Sequence, residues 1–149
     1  MNIYLLIGGS LSLVASALHI GVIVGGPDWL RFFGAGERMA VMAENGSWYP
    51  GLVTGFIAVA LMVMGAYALA ASTGGAGSAH ALPLPLPLPF VKWIVLAITA
   101  VYLLRGLALA PMYFVMPEQV NAFAVWSSLI VLALGIFHAV GLSQVWKHL

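Results

Sequence analysis

The residues best equipped for chemistry are few, and they sit where charge is least welcome. Arg105 lies in the middle of the apolar run Trp93–Pro111, while His19 and His138 lie inside two other apolar runs. A guanidinium stays charged in proteins, and at membrane depth it costs roughly 3 kcal/mol on insertion scales. It therefore calls for a partner, either a carboxylate of the chain or the polar or anionic head of a ligand. An imidazole can act as acid, base or metal ligand. Tyr102, one helical turn before Arg105, adds a hydroxyl to the same arc.

The elements that must position these groups follow from composition. Of 149 residues, 63% are hydrophobic and 6% charged, and the mean hydropathy is +1.09. A water-exposed surface needs roughly a quarter charged residues, so lipid is the expected solvent. Apolar runs cover Ile3–Gly25, Leu52–Ala71, Trp93–Tyr113 and Ala122–Val145, each near the ~20 residues that cross a bilayer core. The expected fold is all-α, an integral membrane four-helix bundle in a single domain, 1–149. Its spans fall at about 3–25, 50–71, 92–113 and 121–145, with a short amphipathic interfacial helix between spans 1 and 2. The net charge of +1 and the lack of a basic stripe argue against a nucleic-acid partner. Without cysteine, disulfides and thiolate chemistry are excluded. Ala15-Ser16-Ala17 resembles a signal-peptide cleavage site, but no Lys or Arg precedes the apolar stretch and that stretch continues to Gly25. Helix 1 is therefore expected to be retained.

Four spans put both termini on one side. Lys92 and Lys147 mark that side, and Arg31 and Arg38 the other. The basic residues are tied, so the positive-inside rule is weak. The lysines adjoin span ends, whereas the arginines share a loop with Asp28, Glu37 and Glu44, which favours cytoplasmic termini. In the loop 28–45, Pro27 and Asp28 suit a helix start and Asn45-Gly46 a stop, with Gly34 and Gly36 allowing a bend. Ser47-Trp48-Tyr49-Pro50 supplies a cap, interfacial aromatics and a first-turn proline for span 2. The stretch Gly26-Pro-Asp-Trp-Leu-Arg-Phe-Phe-Gly-Ala-Gly-Glu-Arg38, followed by Gly46-Ser-Trp-Tyr-Pro50, looks like a signature of small bacterial inner-membrane proteins. That resemblance implies a location and no activity. The connection 73–89 combines a Gly-rich stretch with Leu82-Pro-Leu-Pro-Leu-Pro-Leu-Pro89, read as an extended spacer into span 3. The short third connection makes spans 3 and 4 antiparallel neighbours.

Helices associate in lipid through small residues and interhelical hydrogen bonds. Such faces are Gly8, Ser12, Ser16 and His19 on span 1, and Thr54, Ala58, Leu61 and Gly65 on span 2. Span 3 offers Thr99, Tyr102 and Gly106, and span 4 Ser128, Gly135 and His138. At ~1.5 Å per residue, His19 and Arg105 lie about 9 and 13 Å inside the acidic-loop boundary, and His138 about 10 Å inside the other. Bis-histidine haem needs both ligands at one level, so no cofactor is expected. A metal site is equally unsupported, because every acid lies in a loop.

The expected site is a polar pocket near the acidic-loop face. Arg105, His19 and Tyr102 form its floor, and Glu37, Arg38, Glu44, Glu118, Trp48 and Tyr49 could cover it. Arg105 would either pair with Glu37, Glu44 or Glu118 and pin the interfacial helix, or join His19 in gripping the head of an amphipathic ligand. The leading function is binding or moving a lipid-like small molecule. The alternatives are an accessory subunit of a larger membrane complex and a membrane enzyme on a lipid-soluble substrate, with His19 as acid or base and Arg105 as clamp. A small multidrug-type exporter lacks its expected intramembrane carboxylate. The expected partners are membrane lipids, a lipid-like ligand, and further copies or other subunits.

Overall fold

In the computed structural model, residues 1–74 and 88–149 are described. The elements are α1 (Ile3–Phe32), α2 (Glu37–Glu44), α3 (Tyr49–Ser72), α4 (Val91–Leu107), α5 (Leu109–Val115), a 3-10 turn (Pro117–Gln119) and α6 (Ala122–Val145). The fold is all-α, and no strand occurs among the described residues. Four helical stretches are long and apolar enough to cross a membrane: α1, α3, α4 continued by α5, and α6. Only 22–28% of the residues in each apolar window are buried within the chain. The outward faces carry Val24, Phe56, Leu104 and Ile130, so the apolar surface lacks enough protein to cover it. This is consistent with an integral membrane protein in a four-helix bundle. Most of the proline-rich connection, including His80, lies outside the described residues.

Local chemistry sets the helix ends. Asn2 caps α1 by accepting from the Leu5 N–H at 3.0 Å. Asn121 does the same for α6 with Ala124, at 2.8 Å. Gly26 adopts φ 69°, ψ −149° inside α1, a backbone conformation essentially confined to glycine. With Pro27 removing a donor beside it, this breaks α1 into a long apolar helix and a short amphipathic one. Pro111 likewise withholds the N–H that would bond the Leu107 carbonyl, and α4 gives way to α5 at that point.

The chain divides into two compact units, Met1–Ser12 with Met64–Leu149, and Leu13–Val63. In the first, α4 packs along α6. A Cβ on Gly106 would come within 2.7 Å of the Leu132 Cα, and one on Gly135 within 3.0 Å of the Leu103 backbone nitrogen. These pairings run in opposite directions along the two helices, so α4 and α6 are antiparallel and in backbone contact. At the terminal end of this unit, Asn2 donates to the Ser72 carbonyl at 2.6 Å and to the Gln144 side chain at 2.8 Å.

In the second unit, Ser16 donates to the Ala58 carbonyl at 2.7 Å, tying α1 to α3. Val22, Leu30 and Ala40 form a small core, with Phe33 and Ala43 against it. The Gly26 bend turns Trp29 back onto the Gly21–Gly25 face, where a side chain on Gly25 would overlap the indole.

Candidate functional site

Arg105 is exposed on α4, and its Nη1 donates to the Ser128 hydroxyl of α6 at 3.1 Å. In the antiparallel register Ser128 lies level with Ala110, so the side chain reaches about 7 Å along the helix towards the Val115 end. This is how a long cation escapes the middle of an apolar span. No ion pair among the described residues joins Arg105 to Glu118, the one acid of its unit. A neutral hydroxyl is therefore the partner of a group that carries five donors.

Beside that contact lies a groove of about 360 Å³ between α4–α5 and α6. Gly106, Leu107, Tyr113, Phe114, Leu129 and Leu132 line it, and the Ser128 that holds Arg105 stands at its wall. The groove is as apolar as a lipid chain. Ser128, where the guanidinium is tethered, gives it a polar edge.

The other residues expected in the site have different partners. Tyr102 is buried, with its hydroxyl 2.8 Å from Ser12 Oγ. Ser12 commits its only proton to the Gly8 carbonyl, so Tyr102 is the donor between them. This hydroxyl pair stitches α1 to α4. Glu118 sits exposed in the 3-10 turn.

His19, Glu37, Arg38, Glu44, Trp48 and Tyr49 belong to the other unit. His19 is half-buried, and its Nδ1 lies 2.7 Å from the Ala15 carbonyl. Since a carbonyl only accepts, Nδ1 carries the proton. Glu37 and Glu44, considered from sequence as counter-charges for Arg105, are held by Arg31. Its Nη2 is 2.7 Å from Glu37 Oε1, and its Nη1 is 2.7 Å from Glu44 Oε1. Nε adds a second donor to Glu37 at 2.9 Å, making that pair bidentate. The Arg31 hydrogen bonds hold the Glu37 carboxyl below its ordinary range. Arg38, Trp48 and Tyr49 are exposed.

Three residues with a clear physical role were not in the expected set. Helical spacing marks Ser128 as a packing residue, and only counting levels with the reach of the arginine side chain included finds it as the partner of Arg105. Arg31 was signalled by Glu37 and Glu44, two turns apart on one face of α2. His138 is fully buried, with Nδ1 donating to the Leu134 carbonyl at 2.8 Å and the ring 5.1 Å from that of Tyr102. Its Nε2 is the one buried side-chain polar atom without a partner among the described residues. The ring lies so close to α1 that a Cβ on Gly8 would come within 2.8 Å of it. Among the described residues no group of three His, Asp or Glu side chains could hold a metal ion.

Compared with known protein families, curated proteins and solved structures, the chain finds no match.

Proposed function

We propose that this is a small polytopic membrane protein that binds a lipid-like or amphipathic small molecule. The anionic or polar head rests on Arg105, and the tail lies in the groove between α4–α5 and α6. The observation that carries this reading is the exposed guanidinium held by one neutral serine beside an apolar groove. A charge kept in a span against a cost of roughly 3 kcal/mol needs a counter-group, and charge-assisted hydrogen bonds to an anionic head supply one. The apolar wall favours an alkyl tail over a soluble metabolite. Lys92 and Lys147 beside span ends support cytoplasmic termini.

A photoreactive fatty acid, with a carboxylate head and a diazirine in its tail, tests the reading in lipid nanodiscs. Cross-links should concentrate on peptides covering 106–132, and Arg105→Ala should reduce them about tenfold, with Arg105→Lys intermediate. Helical content by circular dichroism should stay the same. Labelling that is undiminished in Arg105→Ala, or no greater than with the matching fatty alcohol, would sink the proposal.

A further inference from the structure

We propose a second ligand site at the opposite end of α4 and α6, a seat for the headgroup of an anionic phospholipid. A groove of about 630 Å³ opens there. Leu96, Ala139 and Leu142 form its floor, and Trp146, Lys147 and His148 its rim. Lys147 and His148 are exposed. The apolar floor suits the first carbons of an acyl chain, and the cationic rim suits a phosphate diester.

The cations at this end are not all needed by the fold. The terminal carbonyls of α6 attract positive charge, and Lys92 already meets that demand. Its Nζ donates to the Trp146 carbonyl at 2.9 Å and stands 4.2 Å over the Trp146 ring. Trp93 packs edge-on against Trp146 at 5.9 Å, fixing an aromatic pair at the end of two spans, where tryptophan marks the headgroup level. Lys147 is left as a further charge over the groove. The unit's one acidic side chain, Glu118, follows Val115 at the far end of α4–α5, about 37 Å away at the helical rise. Nothing acidic on a side chain of this unit competes for the rim. Basic pockets between spans recognise acidic lipid heads, at roughly fivefold in affinity for each cation near the surface.

This site shares no lining residue with the groove beside Arg105, so the two stand or fall separately. The test is native mass spectrometry of the full chain in mild detergent, titrated with dioleoyl phosphatidylglycerol or dioleoyl phosphatidylcholine. The wild-type chain should retain phosphatidylglycerol at least fivefold more tightly. A diazirine phosphatidylglycerol should label peptides covering 139–148. The double substitution Lys147→Gln, His148→Gln should erase the preference, Lys147→Arg should keep it, and Arg105→Ala should leave it unchanged. Equal retention of both lipids by wild type would overturn the proposal, as would undiminished preference in the double variant. Complete displacement of the lipid by millimolar inorganic phosphate would also overturn it, by making the rim a free-phosphate site.

Discussion

Arg31 and Arg105 are the same side chain in two different electrostatic settings. Arg31 stands just beyond the Gly26 bend and is saturated by two carboxylates, Glu37 and Glu44, on the helix that folds back beside it. Arg105 stands inside a span and has one serine hydroxyl. The first arrangement is complete, and its partners are exposed, where ion pairs contribute little to stability. The second leaves most of the guanidinium donors without a partner among the described residues. The difference separates a charge that organises a loop from a charge whose polar partner is a single neutral hydroxyl.

Their surroundings differ in the same sense. The Arg105 unit is built on backbone contact between α4 and α6, and the Arg31 unit on one bend and a small core. The contrast breaks most severely at Gly106, where the missing side chain lets α6 approach. Gly106→Val should force its Cβ against Leu132, at 2.7–2.8 Å from two backbone atoms and the Cβ of that residue. The destabilisation should be about 3 kcal/mol, the upper part of the range for overpacking. Gly51→Ala, where an added Cβ meets nothing within 4 Å, should be neutral or slightly stabilising. Thermal unfolding in detergent, followed by circular dichroism, compares the two. Equal melting temperatures would show that α4 and α6 are not in backbone contact.

A smaller effect belongs to the bend. A Cβ on Gly26 also meets nothing, so Gly26→Ala isolates the backbone term. Its φ of 69° with ψ of −149° should make alanine unfavourable by about 1–2 kcal/mol. The alanine chain can escape that strain by straightening α1, which would draw Trp29 off the Gly21–Gly25 face. A red shift of Trp29 emission, in a chain with the other tryptophans replaced by phenylalanine, reads this directly. An unchanged spectrum and an unchanged melting temperature together would show that the bend is not imposed by glycine.

Much of this was legible in the sequence because it is periodic. Helical spacing assigns Gly8, Ser12, Ser16, Thr54, Ala58, Gly65, Thr99, Tyr102, Gly106, Ser128, Gly135 and His138 to inward faces, and these are buried, whereas His19 and Leu61, assigned to the same faces, are only half-buried. The interruption at Gly34–Gly36 was visible too, since both glycines adopt positive φ, 68° and 94°. The partners of the two arginines were not. Arg31 meets Glu37 and Glu44 only because the turn sends α2 back beside it, a three-dimensional consequence of two dihedral angles. Arg105 meets Ser128 because its side chain runs along the helix rather than straight out, which counting levels from Cα positions ignores. His138 bonds a backbone carbonyl through Nδ1. The unpartnered Nε2 depends on which atoms surround it, and spacing carries no such information.

The smallest effect sharpens the saturated end of the comparison. Because Arg31 lowers the Glu37 value in the folded chain, their contact adds stability above the ordinary carboxyl value of about 4.5. That stability is lost as pH falls through the lowered value. Carboxyl ¹³C shifts of Glu37 should therefore titrate with a midpoint below 4.5, and Arg31→Gln should move the midpoint upwards. The amide shifts of α2 should follow the same midpoint in the wild-type chain, because the helix is tethered through that carboxylate. Arg105→Gln should leave the titration unmoved, since Glu37 has its own arginine. A Glu37 midpoint that ignores Arg31→Gln would break the comparison at its saturated end, leaving Glu44 as the one carboxylate committed to Arg31.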